Sequence, residues 1–205
     1  MLLKHEIGIF DTLINKRKEM KYSWKKITQI PISEWKYFEE LLLSDNKITS
    51  LPPEVREWRH LAELHLSNNK LTNLPTEVGE WKKLEILILS GNSLTSLPKE
   101  VGEWKKLEVL DLEGNNLSSL PSEIITWKKL EYLNLSNNNF ASLPTEIKAW
   151  KGLRYFHLND NNLTSLPSEV KAWKILEELN LAGNNFSQTE KDKIEEWLPN
   201  IDITW

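Results

Sequence analysis

The 205-residue chain has no cysteine, seven glycines, four histidines and no excess of positive charge. Without cysteine there is no disulfide framework, and a ligase chemistry that runs through a catalytic cysteine is excluded. No Gly-rich phosphate loop, His-Glu-x-x-His motif or nucleophile elbow occurs. Among the histidines, His65 and His157 fall on equivalent positions four repeats apart, roughly 20 Å by strand spacing, too far to share a metal. A net charge of −4 and a pI near 5.7 argue against a nucleic-acid binder. No apolar run reaches the roughly 18 residues of a membrane span. The N-terminal Met1-Leu2-Leu3-Lys4-His5-Glu6 meets charge too early for a secretory h-region, and Leu2 excludes myristoylation. The expected compartment is the cytoplasm by default, with a secreted or surface-exposed protein expected only where a signal has been removed. Catalytic residues, metal ligands and cofactors are expected to be absent.

What the chain does have is a period. Asparagine stands at 46, 69, 92, 115, 138, 161 and 184, and tryptophan at 35, 58, 81, 104, 127, 150 and 173, each spaced by 23. One unit reads Leu61-x-x-Leu64-x-Leu66-x-x-Asn69-x-Leu71-x-x-Leu74-Pro75-x-x-Val78-x-x-Trp81. Units of 23 begin at Leu51, Leu74, Leu97, Leu120, Leu143 and Leu166, preceded by a shorter one of 21 at Ile30. A period between about 20 and 50 signals stacked supersecondary units.

These leucines, the asparagine ladder and segments such as Leu97-Pro98-x-Glu100-Val101 and Leu143-Pro144-x-Glu146-Ile147 resemble the bacterial leucine-rich repeat proteins of the 23-residue type expanded in pathogenic spirochaetes. The resemblance implies an α/β repeat solenoid: a horseshoe with a parallel concave sheet, short helical or 3-10 turns on the convex side and helical caps. It also implies a role in contact with host or cell-surface proteins. The tryptophans depart from the pattern, since relatives commonly carry leucine there.

The residues support that shape independently. Leu64 and Leu66 alternate with Glu63 and His65, the period of a strand with one buried face. The buried asparagine amide is suited to donate to and accept from backbone groups of neighbouring turns. Leu-Pro turns the chain outward, and Val or Ile three residues before each tryptophan places both inward on one helical or 3-10 turn. A tryptophan buried there removes on the order of 150 Å² from water, a gross ~4 kcal/mol. An exposed aromatic platform for sugars or peptides is the alternative use of that ladder. Basic residues after the tryptophans and glutamates before them balance one another, as on a solvated convex face.

The ends read as caps. Residues 1–29 form the N-terminal one, with Leu3, Ile7, Phe10 and Ile14 on one helical face and Ile27–Pro31 imitating half a repeat. Repeats occupy 30–188. Residues 189–205 form the C-terminal one: Ser187-x-x-Glu190 at its entrance has the form of a capping box, Ile194, Trp197 and Leu198 follow at helical spacing, Pro199 stops the helix, and Ile201, Ile203 and Trp205 alternate as a last strand.

Partner information belongs at the concave positions that the repeat leaves free. There Ile86, Val109, Tyr132 and Tyr155 form a strip, flanked by Glu40, Glu63 and Glu178, with Ile88, Asp111, Asn134 and His157 beside it. An apolar, tyrosine-bearing centre with a polar rim is the anatomy of a protein interface. The expectation is a monomeric, non-enzymatic module that binds a protein partner through these eight residues. Alternatives are an intracellular scaffold, a carbohydrate or matrix adhesin, and self-association through the same strip.

Overall fold

The computed structural model describes residues 19–21 and 35–205. Among them, nine three-residue strands form one parallel sheet in chain order: β1 (Glu19–Lys21), β2 (Glu40–Leu42), β3 (Glu63–His65), β4 (Ile86–Ile88), β5 (Val109–Asp111), β6 (Tyr132–Asn134), β7 (Tyr155–His157), β8 (Glu178–Asn180) and β9 (Asp202–Thr204). Six 3-10 turns, from Pro53–Glu57 to Ser168–Ala172, carry the chain back between strands. This is the expected solenoid, with a parallel sheet on one side and 3-10 turns on the other. Strand β1 pairs in register with β2, Glu19 opposite Glu40, inside the segment read from sequence as an N-terminal cap. The helical face of Leu3, Ile7, Phe10 and Ile14 and the half-repeat Ile27–Pro31 lie outside the described residues.

From Asn69 onward each asparagine of the ladder ties its own turn to the preceding one. Asn92 Nδ2 donates to the carbonyls of Leu89 and of Leu66 in the preceding repeat, both at 2.9 Å, while its Oδ1 accepts the Leu71 N–H at 3.0 Å. Asn115 and Asn138 repeat the pattern. These backbone groups sit on a solenoid axis where no water reaches them, so the side chain supplies what a sheet ladder supplies elsewhere. One residue earlier, the chain turns through left-handed backbone at Asp45, Asn68, Gly91, Gly114, Asn137, Asp160 and Gly183. Only glycine, asparagine or aspartate adopts this conformation cheaply, and only those types occur there.

The tryptophans are interior, with Trp35, Trp58, Trp81, Trp104, Trp127 and Trp150 fully buried. From Trp81 onward each indole finds its acceptor one repeat back: Trp81 Nε1 donates to the Val55 carbonyl at 2.9 Å, Trp104 to Val78 at 2.8 Å and Trp127 to Val101 at 2.9 Å. Trp58 Nε1 has no acceptor among the described residues. An exposed aromatic platform is therefore not what this ladder forms.

The ladder also sets the shape. Rings from Trp58 to Trp150 stack with centroids 6.0, 6.2, 6.3 and 6.2 Å apart, whereas paired strands stand about 4.8 Å apart. Each repeat is wider at its tryptophan than at its strand. Stacked in register, such wedges curve the array with the sheet on the inner side. Phe156, standing where other repeats have a strand leucine, meets Trp150 and Trp173 edge-on at 85° and 84°.

At the far end, helix α1 (Gln188–Trp197) starts where Ser187 accepts the Glu190 N–H on its hydroxyl at 3.2 Å. Ile194 and Leu198 join the main core, with Trp197, Ile201, Ile203 and Trp205 against it. Strand β9 pairs with β8, Ile203 opposite Leu179.

Candidate functional site

Strand register brings all eight residues of the expected strip together. Ile86, Val109, Tyr132 and Tyr155 are successive partners across β4 to β7, and so are Ile88, Asp111, Asn134 and His157. The rows end where the sequence suggests, with Glu63 beside Ile86 and Glu178 beside Tyr155.

The two halves of the strip differ in what they offer. Ile86, Ile88 and Val109 form an apolar cluster separate from the main core, with Tyr132 packed on it. Only 3%, 8% and 5% of their respective surfaces are open. They close the β4–β5 end of the strip with apolar side chains that are themselves well packed. Asn134 is also buried: its Oδ1 accepts the Ser136 N–H at 3.0 Å and its Nδ2 donates to Glu113 Oε2 at 3.2 Å. Asp111 likewise accepts the Glu113 N–H at 3.0 Å, and Asn180 the Ala182 N–H at 3.1 Å. This recurring turn ends the strand, so Asp111 and Asn134 have structural work of their own.

Tyr132, Tyr155, His157 and Asp111 are the residues the strip leaves partly open. The Tyr132 ring lies 5.5 Å from the His157 imidazole, tilted by 39°. Tyr155 donates its hydroxyl proton to Glu177 Oε2 at 2.7 Å, and Arg154 pairs with the other oxygen of the same carboxylate. The Glu177 hydrogen bond, with some burial and the negative charge itself, raises the Tyr155 phenol above its ordinary value of 10.0, and Arg154 opposes the shift. Glu178 stands 3.9 Å from His157 Nε2, and Glu63 stands 2.6 Å from His65 Nε2.

The ladder reading missed a row. Immediately before strands β4 to β8 stand Glu85, Glu108, Glu131, Arg154 and Glu177, aligned because each carbonyl accepts from the next repeat: Glu108 N–H to Glu85 at 2.8 Å, Glu131 N–H to Glu108 at 2.9 Å, Arg154 N–H to Glu131 at 2.9 Å. The signal lay one position upstream of the strip, at the same spacing of 23. Among the described residues no group of three or more His, Cys, Asp or Glu is placed to hold a metal ion, and no helix is long and apolar enough to cross a membrane.

Two overlapping stretches, residues 36–94 and 82–140, match the leucine-rich repeat family and together span about half of the chain. No curated protein matches. Among solved structures, a leucine-rich repeat protein of Leptospira interrogans is 30% identical, with a TM-score of 0.57 over 92% of this chain and 60% of its own. A plant peptide hormone receptor solved in complex with RGF2 is 28% identical, with a TM-score of 0.66 over 72% of this chain and 25% of its own. Internalin C2 of Listeria monocytogenes, 24% identical with a TM-score of 0.74 over 83% of this chain and 73% of its own, shares the fold. The chain thus spans less than two thirds of the Leptospira protein and a quarter of the plant receptor.

Proposed function

Because the chain belongs to the leucine-rich repeat family, whose members typically serve as interaction modules without catalysis, we propose that it binds a protein partner on the concave face of its sheet. One observation carries this reading. Tyr132, Tyr155 and His157 stand side by side, partly open, and Tyr132 packs against the closed apolar cluster of Ile86, Ile88 and Val109. Tyrosines on a rigid support give large contact area at small entropic cost, which is why they dominate binding hot spots. The polar margin of Asp111 and Glu113 completes the interface on one side. The plant receptor solved with a bound ligand lends support from a related array.

The 23-residue repeats and the Leptospira likeness support a place among the spirochaete-type repeat proteins and a host-facing role. Residues 189–205 act as the closing cap of the array and residues 1–29 as the opening one. Affinity capture with the wild type against a Tyr132→Ala, Tyr155→Ala double variant, read by mass spectrometry, tests the docking surface. Proteins held by the first and lost with the second are the partners, and identical capture by both removes the strip from the account. Detection in culture supernatant supports the host-facing role, and confinement to the cell interior overturns it.

A further inference from the structure

We propose that the partner presents a basic segment, its lysines or arginines interleaved with apolar side chains. This inference rests on the docking reading above and specifies its chemistry. Around Tyr132 and Tyr155 the face carries Glu108, Asp111, Glu113, Glu131, Glu177 and Glu178. Over the stretch from β5 to β8 the only lysine or arginine in these rows is Arg154, and Lys21 stands at the far end of the sheet on β1. The chain as a whole is nearly balanced, with 26 basic and 30 acidic residues, so the acidity belongs to this face rather than to the composition.

Glu108 and Glu131 stand in register immediately before β5 and β6, and with the acids around them they give this face a negative field that attracts a cation. One repeat further, the chain shows how such a cation sits: Arg154 pairs with Glu177, and that carboxylate also accepts the Tyr155 hydroxyl. A partner's side-chain cation set on the Glu108–Glu131 row meets carboxylates one position away from the row of Val109, Tyr132 and Tyr155. The glutamate row and the tyrosine row are adjacent, so a segment running along the array sets its basic groups on one and its apolar groups on the other. A second copy docking face to face would oppose two acidic surfaces, which like-charge repulsion disfavours.

The test uses a fluorescent dodecapeptide alternating lysine with leucine and its glutamate counterpart, titrated into the full chain and followed by anisotropy. A face variant carries Glu113→Gln, Glu131→Gln and Glu178→Gln; a charge-matched variant carries Glu77→Gln, Glu100→Gln and Glu146→Gln on the 3-10 turns. The expected result is binding of the lysine peptide alone, weakened at least about tenfold in the face variant, unchanged in the turn variant, and falling steeply with salt. Equal weakening in both variants, no weakening, binding of the glutamate peptide, or no binding at all overturns the inference. A captured partner lost with the tyrosine variant but indifferent to the face glutamines also overturns it, and leaves the docking reading standing.

Discussion

Trp104 donates its indole N–H to the carbonyl of Val78, 2.8 Å away in the preceding repeat, and that same oxygen also accepts the Trp81 N–H at 3.1 Å. The tryptophan ladder is thus a hydrogen-bonded ladder as well as a packed one. Replacing Trp104 with phenylalanine keeps a ring in the stack and leaves the Val78 oxygen one partner. The expected loss is about 0.5–1.5 kcal/mol, against about 3–5 kcal/mol for alanine. Urea denaturation checks both, and a phenylalanine variant as stable as wild type would show that the indole bond contributes nothing net.

Asn115 satisfies more groups than any substitute can. It donates to the Leu89 and Leu112 carbonyls and accepts the Leu94 N–H, all at 3.0 Å. Alanine there strands buried backbone groups at about 1–3 kcal/mol each, so a loss of about 3 kcal/mol or more is expected. The exposed neighbour Asn116, changed to alanine, is the control and should stay within about 0.5 kcal/mol. Comparable losses at both sites would contradict the ladder's role.

The Tyr155 phenol titrates above 10.0 because its neutral form donates to Glu177. A folded value raised above the unfolded one stabilises the fold below the unfolded value, and that contribution is lost as pH rises through the folded value. Alkaline ultraviolet titration should show this tyrosine ionising late, and Glu177→Gln should bring it down. An unchanged titration in that variant sinks the assignment.

Ile194 of α1 is wholly buried in the main core. Alanine there should cost about 2–5 kcal/mol locally. Because each repeat leans only on its neighbours, amides of the repeat beginning at Leu166 should exchange faster well before those beginning at Leu97. Uniform loss of protection along the array would argue that residues 189–205 do not act as its cap.

Much of this was legible in the sequence because it is local or periodic. The strands, the asparagine bonds, the 3-10 turns under Val78 and Trp81 and the Ser187 cap follow from spacing and residue type. What escaped depends on the third dimension. The indole acceptors sit 26 residues back, and no propensity announces them. The glutamate row at 85, 108 and 131 was visible at the same spacing but stood outside the strand pattern. The closure of Ile86, Ile88 and Val109 depends on packing, which alternation alone does not convey. Aspartate at Ile86 would place a charge in this buried cluster and unsettle the fold.

The most direct measurement is the dissociation constant of a captured partner for the wild type, Tyr132→Ala and Tyr155→Ala, with thermal unfolding recorded for each. The account predicts affinity at least about tenfold weaker in both variants and unfolding transitions little changed, because both rings are partly open to solvent. Affinities within about twofold of wild type for both, in proteins equally folded, contradict a concave tyrosine surface as the site of recognition.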